Sequence, residues 1–233
     1  MTSIVTQDMI TPGSGDWEGE LFTGVGDIKY PNCEIYSGDI VDNVRDGKGV
    51  YKFLNGDMYE GNWKNGHRKG RGKLFQNDGT TYDGEWKDSK KQGMGTIVYA
   101  SSNLYDGNFN DDKIEGEGEL ELIDGRNYKG TFLNNQLTGT GILTMINAES
   151  YTGEFNEGFP VKGVYTFLNG DKHMGSWKNG TQNGYGEYLF DNNDAYHGDF
   201  EDGKMTGKGK YNYVNGESYE GDVADGRRQG HGK

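Results

Sequence analysis

Long apolar runs are missing from this chain, and little stands in for them. Only 31% of its 233 residues are apolar, too few to assemble a thick aliphatic core. No stretch approaches the roughly 20 apolar residues that a membrane-spanning helix needs. A single cysteine, Cys33, excludes an internal disulfide, fits a reducing compartment and is read as an inert thiol. Positive charge is scarce as well: 24 Lys and Arg against 37 Asp and Glu leave a net charge of -13. With a pI near 4.7, the chain carries the opposite of a nucleic-acid binder's electrostatic footprint, so no nucleic acid is expected among its partners. Residues 1–16 contain neither Lys nor Arg, so they read as a flexible tail, not as a secretory signal or mitochondrial leader. Thr2 excludes N-myristoylation. A soluble, cytoplasmic protein is expected, and the sequon Asn179-Gly180-Thr181 means little without a secretory route.

Low hydrophobicity with high net charge would ordinarily signal disorder. Aromatic residues nevertheless make up 13% of the chain, with 16 tyrosines, so something is packed, and the packing has to be thin and aromatic. The 41 glycines exclude helix as the framework.

What is present is a repeat. Tyr36, Tyr59, Tyr82, Tyr105, Tyr128 and Tyr151 follow at intervals of 23 residues, and after one interval of 22 the series resumes with His173, Tyr196 and Tyr219. Each opens one phrase: aromatic-x-Gly-x-aromatic, a polar loop, then Gly-x-Gly and alternating apolar residues. In the second unit this is Tyr59-Glu60-Gly61-Asn62-Trp63, the loop Lys64–Lys69, and Gly70-Arg71-Gly72. Period-2 alternation is a strand signal, so each unit reads as a β-hairpin. Tyr59, Gly61 and Trp63 share one side, with Glu60 and Asn62 on the other. A ring on one strand can then lie across the bare backbone of a neighbouring glycine. Segments such as Asn55-Gly56-Asp57 and Asn169-Gly170-Asp171 supply the positive backbone angles of turns between units. Nine units predict an all-β fold: an elongated, twisted, single-layer antiparallel β-meander of about eighteen strands plus a short entry hairpin, on the order of 90 Å long. The array spans 17–233, with Trp17–Gly26 as a degenerate capping unit. The unit opened by Tyr151 carries Pro160, lacks one residue and keeps only Gly163 of the paired glycines, which places a bend near 156–165. His173 replaces a tyrosine and Val223 an aromatic residue. The last unit stops at Gly230-His231-Gly232-Lys233, part way through a strand, so the expectation is either a sequence cut short there or an open end that pairs end to end in a homodimer.

Tyr-x-Gly-x-Trp followed by Gly-x-Gly at this spacing resembles the MORN repeat family, and the resemblance covers Tyr36–Lys233. It implies a β-meander used as a scaffold in cytoskeletal, ciliary and cell-division assemblies, in some proteins a phosphoinositide-associated platform, and in others a targeting module appended to an enzyme.

The residues themselves hold little catalytic chemistry. His67, His173, His197 and His231 sit in different units without Cys or His companions, so neither a metal site nor a cofactor is expected. Gly70-Arg71-Gly72 opens a strand, and no Gly-Lys-Ser/Thr follows it as in a phosphate loop. No Ser or Cys nucleophile has a base at a recognisable spacing, so the chain is expected to bind, not to catalyse. Two surfaces are expected. The first is the aromatic-glycine face, where Tyr59, Trp63, Tyr82, Trp86, Tyr105, Phe109, Tyr128 and Phe132 would grip an extended or helical segment of a protein partner. The second is a basic strip of Lys64, Arg68, Lys69, Arg71, Lys87, Lys90 and Lys91, which would meet an acidic protein or, weakly, an anionic lipid.

Overall fold

Each repeat supplies two alternating runs, and each run becomes a strand. The computed structural model describes residues 5–230, so residues 1–4 of the expected tail, His231 and the end expected to pair in a homodimer, residues 231–233, lie outside the described residues. After one 3-10 turn at Gln7–Met9, every regular element among them is a strand. The chain divides into two compact units, residues 1–116 and 117–233. The first holds β1 (Ile10–Glu18), β2 (Leu21–Lys29), β3 (Ile35–Val41), β4 (Val44–Lys52), β5 (Met58–Lys64), β6 (His67–Phe75), β7 (Thr81–Lys87), β8 (Lys90–Val98), β9 (Leu104–Asn110) and the start of β10 (Lys113–Glu121). The second continues with β11 (Asn127–Leu133), β12 (Gln136–Thr144), β13 (Ser150–Asn156), β14 (Phe159–Thr166), β15 (Lys172–Lys178), β16 (Thr181–Leu189), β17 (Ala195–Glu201), β18 (Lys204–Asn212), β19 (Ser218–Ala224) and β20 (Arg227–Gln229). Within each unit successive strands pair antiparallel, β1 to β9 in the first and β11 to β20 in the second, which makes the fold an all-β meander of hairpins.

Two local expectations need correction. Residues 10–16 are not tail: they are most of β1, and Ile10 pairs with Ile28, both of them buried. The polar loop expected over Lys64–Lys69 shrinks to Asn65-Gly66, both at positive φ, because Lys64 already pairs with His67. That is the two-residue turn whose twist matches a right-twisted hairpin. The segments between units turn as expected: Gly56 sits at φ 90°, and the Asn55 side chain accepts the Asp57 amide hydrogen bond at 3.1 Å.

Register fixes the glycines. In the first unit Gly26, Gly38, Gly49, Gly61, Gly72, Gly84, Gly95 and Gly107 stand opposite one another from strand to strand. In the second, Gly130, Gly141, Gly153, Gly163, Gly175, Gly186, Gly198, Gly209 and Gly221 do the same. In each unit a row of bare backbone therefore crosses the strands at a fixed place, from β2 to β9 in the first and from β11 to β19 in the second. Just beyond it the hairpins β3–β4, β5–β6, β7–β8, β11–β12, β13–β14, β15–β16 and β17–β18 are bulged. Gly61 pairs with Gly72 but Trp63 pairs with Arg68, so Asn62 stands opposite three residues, two more than regular pairing allows. The first glycine of Gly-x-Gly sits in that bulge, Gly70 at φ 77° and Gly207 at φ 66°. In β13–β14 the bulge is one residue smaller, with Glu154 opposite Lys162 and Phe155 opposite Pro160. The missing residue of the Tyr151 repeat was taken out of the bulge, and Gly153 still faces Gly163.

Candidate functional site

The ring side of the sheet is closed. Tyr59 is 0% exposed, and its ring lies over the paired glycines: a Cβ built on Gly72 would fall 2.2 Å from the Tyr59 hydroxyl oxygen, and one on Gly61 2.5 Å from it. The hydroxyl donates to the Asn62 carbonyl at 3.1 Å, and Tyr82 and Tyr151 make the same bond to Glu85 and Glu154. Trp63 and Trp86 meet the Tyr59 ring edge-on from either side, at 5.1 and 5.2 Å. The series runs on through Tyr82 and Phe109 to Tyr105 in the first unit. In the second it runs from Phe132 through Tyr128, Phe155 and Tyr151 to Trp177, His173 and Phe200. Such edge-to-face pairs satisfy the ring quadrupoles while excluding water. Burial pushes the Tyr59 hydroxyl pKa up to about 12.

The eight rings expected to grip a partner, Tyr59, Trp63, Tyr82, Trp86, Tyr105, Phe109, Tyr128 and Phe132, are thus all buried. Glycine is the physical reason. Without a Cβ beneath them, the rings of Tyr59, Tyr82 and Tyr128 sink onto backbone, and the Trp or Phe ring of the following repeat covers what remains. Packing consumes this surface, and a partner cannot reach the rings while the sheet is folded.

The basic strip is likewise dispersed. The Arg68 guanidinium folds over the Trp86 ring at 4.1 Å and donates to the Ser89 carbonyl at 2.7 Å. Lys91 lies 5.1 Å above the Tyr82 ring. Desolvation lowers the pKa of both cations. Lys64 pairs with Asp46 at 3.1 Å and Lys90 with Asp111 at 3.2 Å. Lys69, Arg71 and Lys87 stay exposed. Arg45, one repeat before Arg68, caps Trp63 and Tyr51 in the same way, at 4.4 and 4.8 Å. Cations over rings here seal the aromatic layer.

The surface open to a ligand is the opposite face. There the glycine row forms a floor without side chains, and the residues flanking it form walls. In the first unit a furrow of about 550 Å³ runs over Gly38, Gly49, Gly61 and Gly72, walled by Lys48, Glu60, Arg71, Lys73 and Asp83. Register places Lys73 between the two carboxylates, opposite Glu60 on one strand and Asp83 on the other. At the same place in the repeat, the second unit has a furrow of about 1090 Å³ over Gly209 and Gly221, walled by Tyr185, His197, Lys208 and Asp222. Tyr185 is 69% exposed, and Lys208 pairs with Asp222 at 2.6 Å. Sequence reasoning missed both furrows. The available signal was the 23-residue spacing of the glycines, which in a meander of equal hairpins has to line them up. Among the described residues no group of three His, Cys, Asp or Glu could hold a metal ion, and no helix is long and apolar enough to cross a membrane.

The family model described as MORN repeat matches nine segments: 36–58, 59–81, 82–104, 105–125, 128–147, 151–172, 173–195, 196–218 and 219–233. No curated protein sequence matches the chain. Among solved structures, the wild-type TCP10 domain of Danio rerio CPAP superposes with a TM-score of 0.51 at 12% identity, over 84% of this chain and 93% of that one. A point mutant of the same domain matches at the same score and identity, over 84% and 92%. The wild-type domain in complex with a peptide of Danio rerio STIL matches at 0.26 and 13% identity, over 76% and 90%. At 12% identity the likeness to the first two is one of fold.

Proposed function

Because this chain belongs to the MORN repeat family, we propose that it works as a non-catalytic scaffold binding an extended segment of another protein along the glycine-floored face of its sheet. The observation that carries this reading is the furrow. Side chains project on both sides of a floor that has none, so a partner backbone can approach the sheet closely while Lys48, Glu60, Arg71, Lys73 and Asp83 select its side chains. The alternating charges of these walls favour register and specificity over raw affinity. The TCP10 domain of Danio rerio CPAP, itself solved with a peptide of STIL, is an instance of a sheet of similar fold taking a peptide. A cytoskeletal or ciliary assembly is the proposed setting, and it rests on the family alone. A lipid platform is not favoured, because Arg68 and Lys91 of the basic strip face inward.

Affinity capture from native cells at near-physiological salt tests the reading. Protein partners recovered by the unaltered chain should be lost when Lys48→Glu and Lys73→Glu are combined in a variant that stays folded. Partners retained in full by that variant would move the site off the furrow. Recovery of no protein would end the scaffold reading.

A further inference from the structure

The sequence holds six Asn-Gly pairs, at Asn55, Asn65, Asn169, Asn179, Asn183 and Asn215. Asn-Gly is the pair most open to self-modification, because glycine leaves its own amide nitrogen unshielded for attack on the preceding side chain. Folded structure protects such a pair when it engages that nitrogen. At the turns between units it does: the Gly56, Gly170 and Gly216 amides donate to Phe53, Phe167 and Tyr213 carbonyls at 2.9 to 3.1 Å. The side chains of Asn55, Asn169 and Asn215 are themselves held, each accepting a hydrogen bond from the amide two residues on. Asn183 is half-buried within β16.

Hairpin tips are protected differently. The second residue of the tip donates its amide to a carbonyl of the preceding tip: Gly66 to Arg45 at 2.9 Å, Ser89 to Arg68, Asp112 to Lys91, Gly158 to Leu137, Gly203 to Gln182 and Gly226 to Met205. Arg45 also returns a bond to the Gly66 carbonyl at 2.9 Å, and Gly66 is buried. The tip at Asn179-Gly180 breaks this series. Its predecessor is the short-bulged hairpin β13–β14, and three observations show that the support is absent. The Gly180 amide makes no hydrogen bond among the described residues. The β14–β15 pairing stops at Lys162 and Ser176, whereas β4–β5 extends to the tryptophan, Gly47 opposite Trp63. The Trp177 indole nitrogen is buried without a partner, whereas the Trp63 and Trp86 indoles donate to the Gly49 and Gly72 carbonyls. Asn179 and Gly180 are both exposed, and nothing lies within 4 Å of a Cβ built on Gly180.

We infer that Asn179 is a modification site, the position at which the folded chain deamidates selectively. Solvent hydroxide removes the Gly180 amide proton, and the nitrogen attacks Asn179 Cγ. The bond from Cγ to the side-chain nitrogen breaks, and ammonia leaves with a proton taken from water. One water then opens the cyclic imide at either carbonyl, leaving aspartate or isoaspartate. Asn65-Gly66 is the matched control, because it occupies the same turn with the glycine nitrogen engaged.

The test is to incubate the full chain at mildly alkaline pH and follow the amide-to-acid mass change at each pair by peptide mapping, natively and in urea. In the native chain Asn179 should convert about fivefold faster than Asn65, the factor by which one engaged backbone hydrogen bond of ~1 kcal/mol withholds the nucleophile. In urea the two rates should converge. Native conversion at Asn65 or at any inter-unit turn as fast as at Asn179 would overturn the inference. So would a native difference that persisted unchanged in urea, since flanking sequence would then be its cause.

Discussion

Replacing Gly72 with alanine should unfold the second repeat from the inside. The backbone there does not need glycine for its angles, since Gly72 carries no positive φ, so the whole effect is steric. The new methyl would sit 2.2, 2.4 and 2.6 Å from the hydroxyl oxygen, Cζ and Cε2 of Tyr59, a ring with no exposed surface into which to retreat. Moving that ring breaks its 3.1 Å hydrogen bond to Asn62 and disturbs its edge contacts with Trp63 and Trp86. One hydrogen bond, two aromatic pairs and the strain of overpacking place the cost at about 3 kcal/mol. Gly79→Ala is the contrast: nothing lies within 4 Å of its Cβ, and only its φ of 94° is penalised, at about 1 kcal/mol. Urea unfolding would measure both, with hydrogen exchange across β5, β6 and β7 locating the loss. Tyr59→Phe should recover part of the Gly72→Ala cost, because the hydroxyl oxygen is the nearest atom, so the pair should be non-additive. A Gly72→Ala cost below about 1 kcal/mol, or strict additivity with Tyr59→Phe, would refute the idea that rings seated on glycine hold the sheet.

His173 is the weak ring of the series, with both nitrogens buried and unpartnered. His173→Tyr should restore a hydroxyl bond to the carbonyl three residues on and raise stability by about 1 kcal/mol in thermal unfolding. Burial lowers the His173 pKa from 6.5 to about 4, so the folded state resists a proton that the unfolded chain accepts. Stability should therefore be complete above pH 6.5 and fall by up to about 3 kcal/mol as pH drops toward 4, a component that His173→Tyr removes. The carboxylates of Glu149 and Asp171 have pKa values lowered chiefly by hydrogen bonds, which outweigh desolvation at Asp171, so their contribution is lost at lower pH, as each is protonated. Arg68→Ala should cost about 1 to 2 kcal/mol in the same assay, through the lost Trp86 and Ser89 contacts, while Lys69→Ala should be near neutral.

Much of the fold was legible because its determinants are local and repeated. Alternation around Gly61 marked the strands, Asn55-Gly56-Asp57 marked the turn, and Tyr59 with Gly72 implied a ring over backbone. The candidate site was less legible, for two reasons. Whether Trp63 is exposed depends on Tyr36 and Arg45 of the preceding repeat, which spacing within one phrase does not reveal. Arg68 and Lys69 are adjacent cations of similar composition, yet alternation sends one onto Trp86 and leaves the other in water. Gly-x-Gly also hid a division of labour. Gly70 turns the bulge and Gly72 seats the ring, a distinction that only register and backbone angles separate. Ile10–Asp16 was misread as tail because Gly13, Gly15 and Pro12 dilute its alternation, although Ile10 faces Ile28.

The bulge has a mechanical consequence for the length of the chain. A residue lost from an ordinary hairpin would slide every following side chain to the wrong face. Here the deletion before His173 was absorbed between the glycine row and the tip: Gly163 still meets Gly175, and Tyr165 still meets His173. The bulge is a slip joint, isolating the phase of the sheet from the length of its hairpins. Tips can therefore gain or lose residues singly, at a cost confined to the tip that follows, while the spacing from ring to glycine stays fixed.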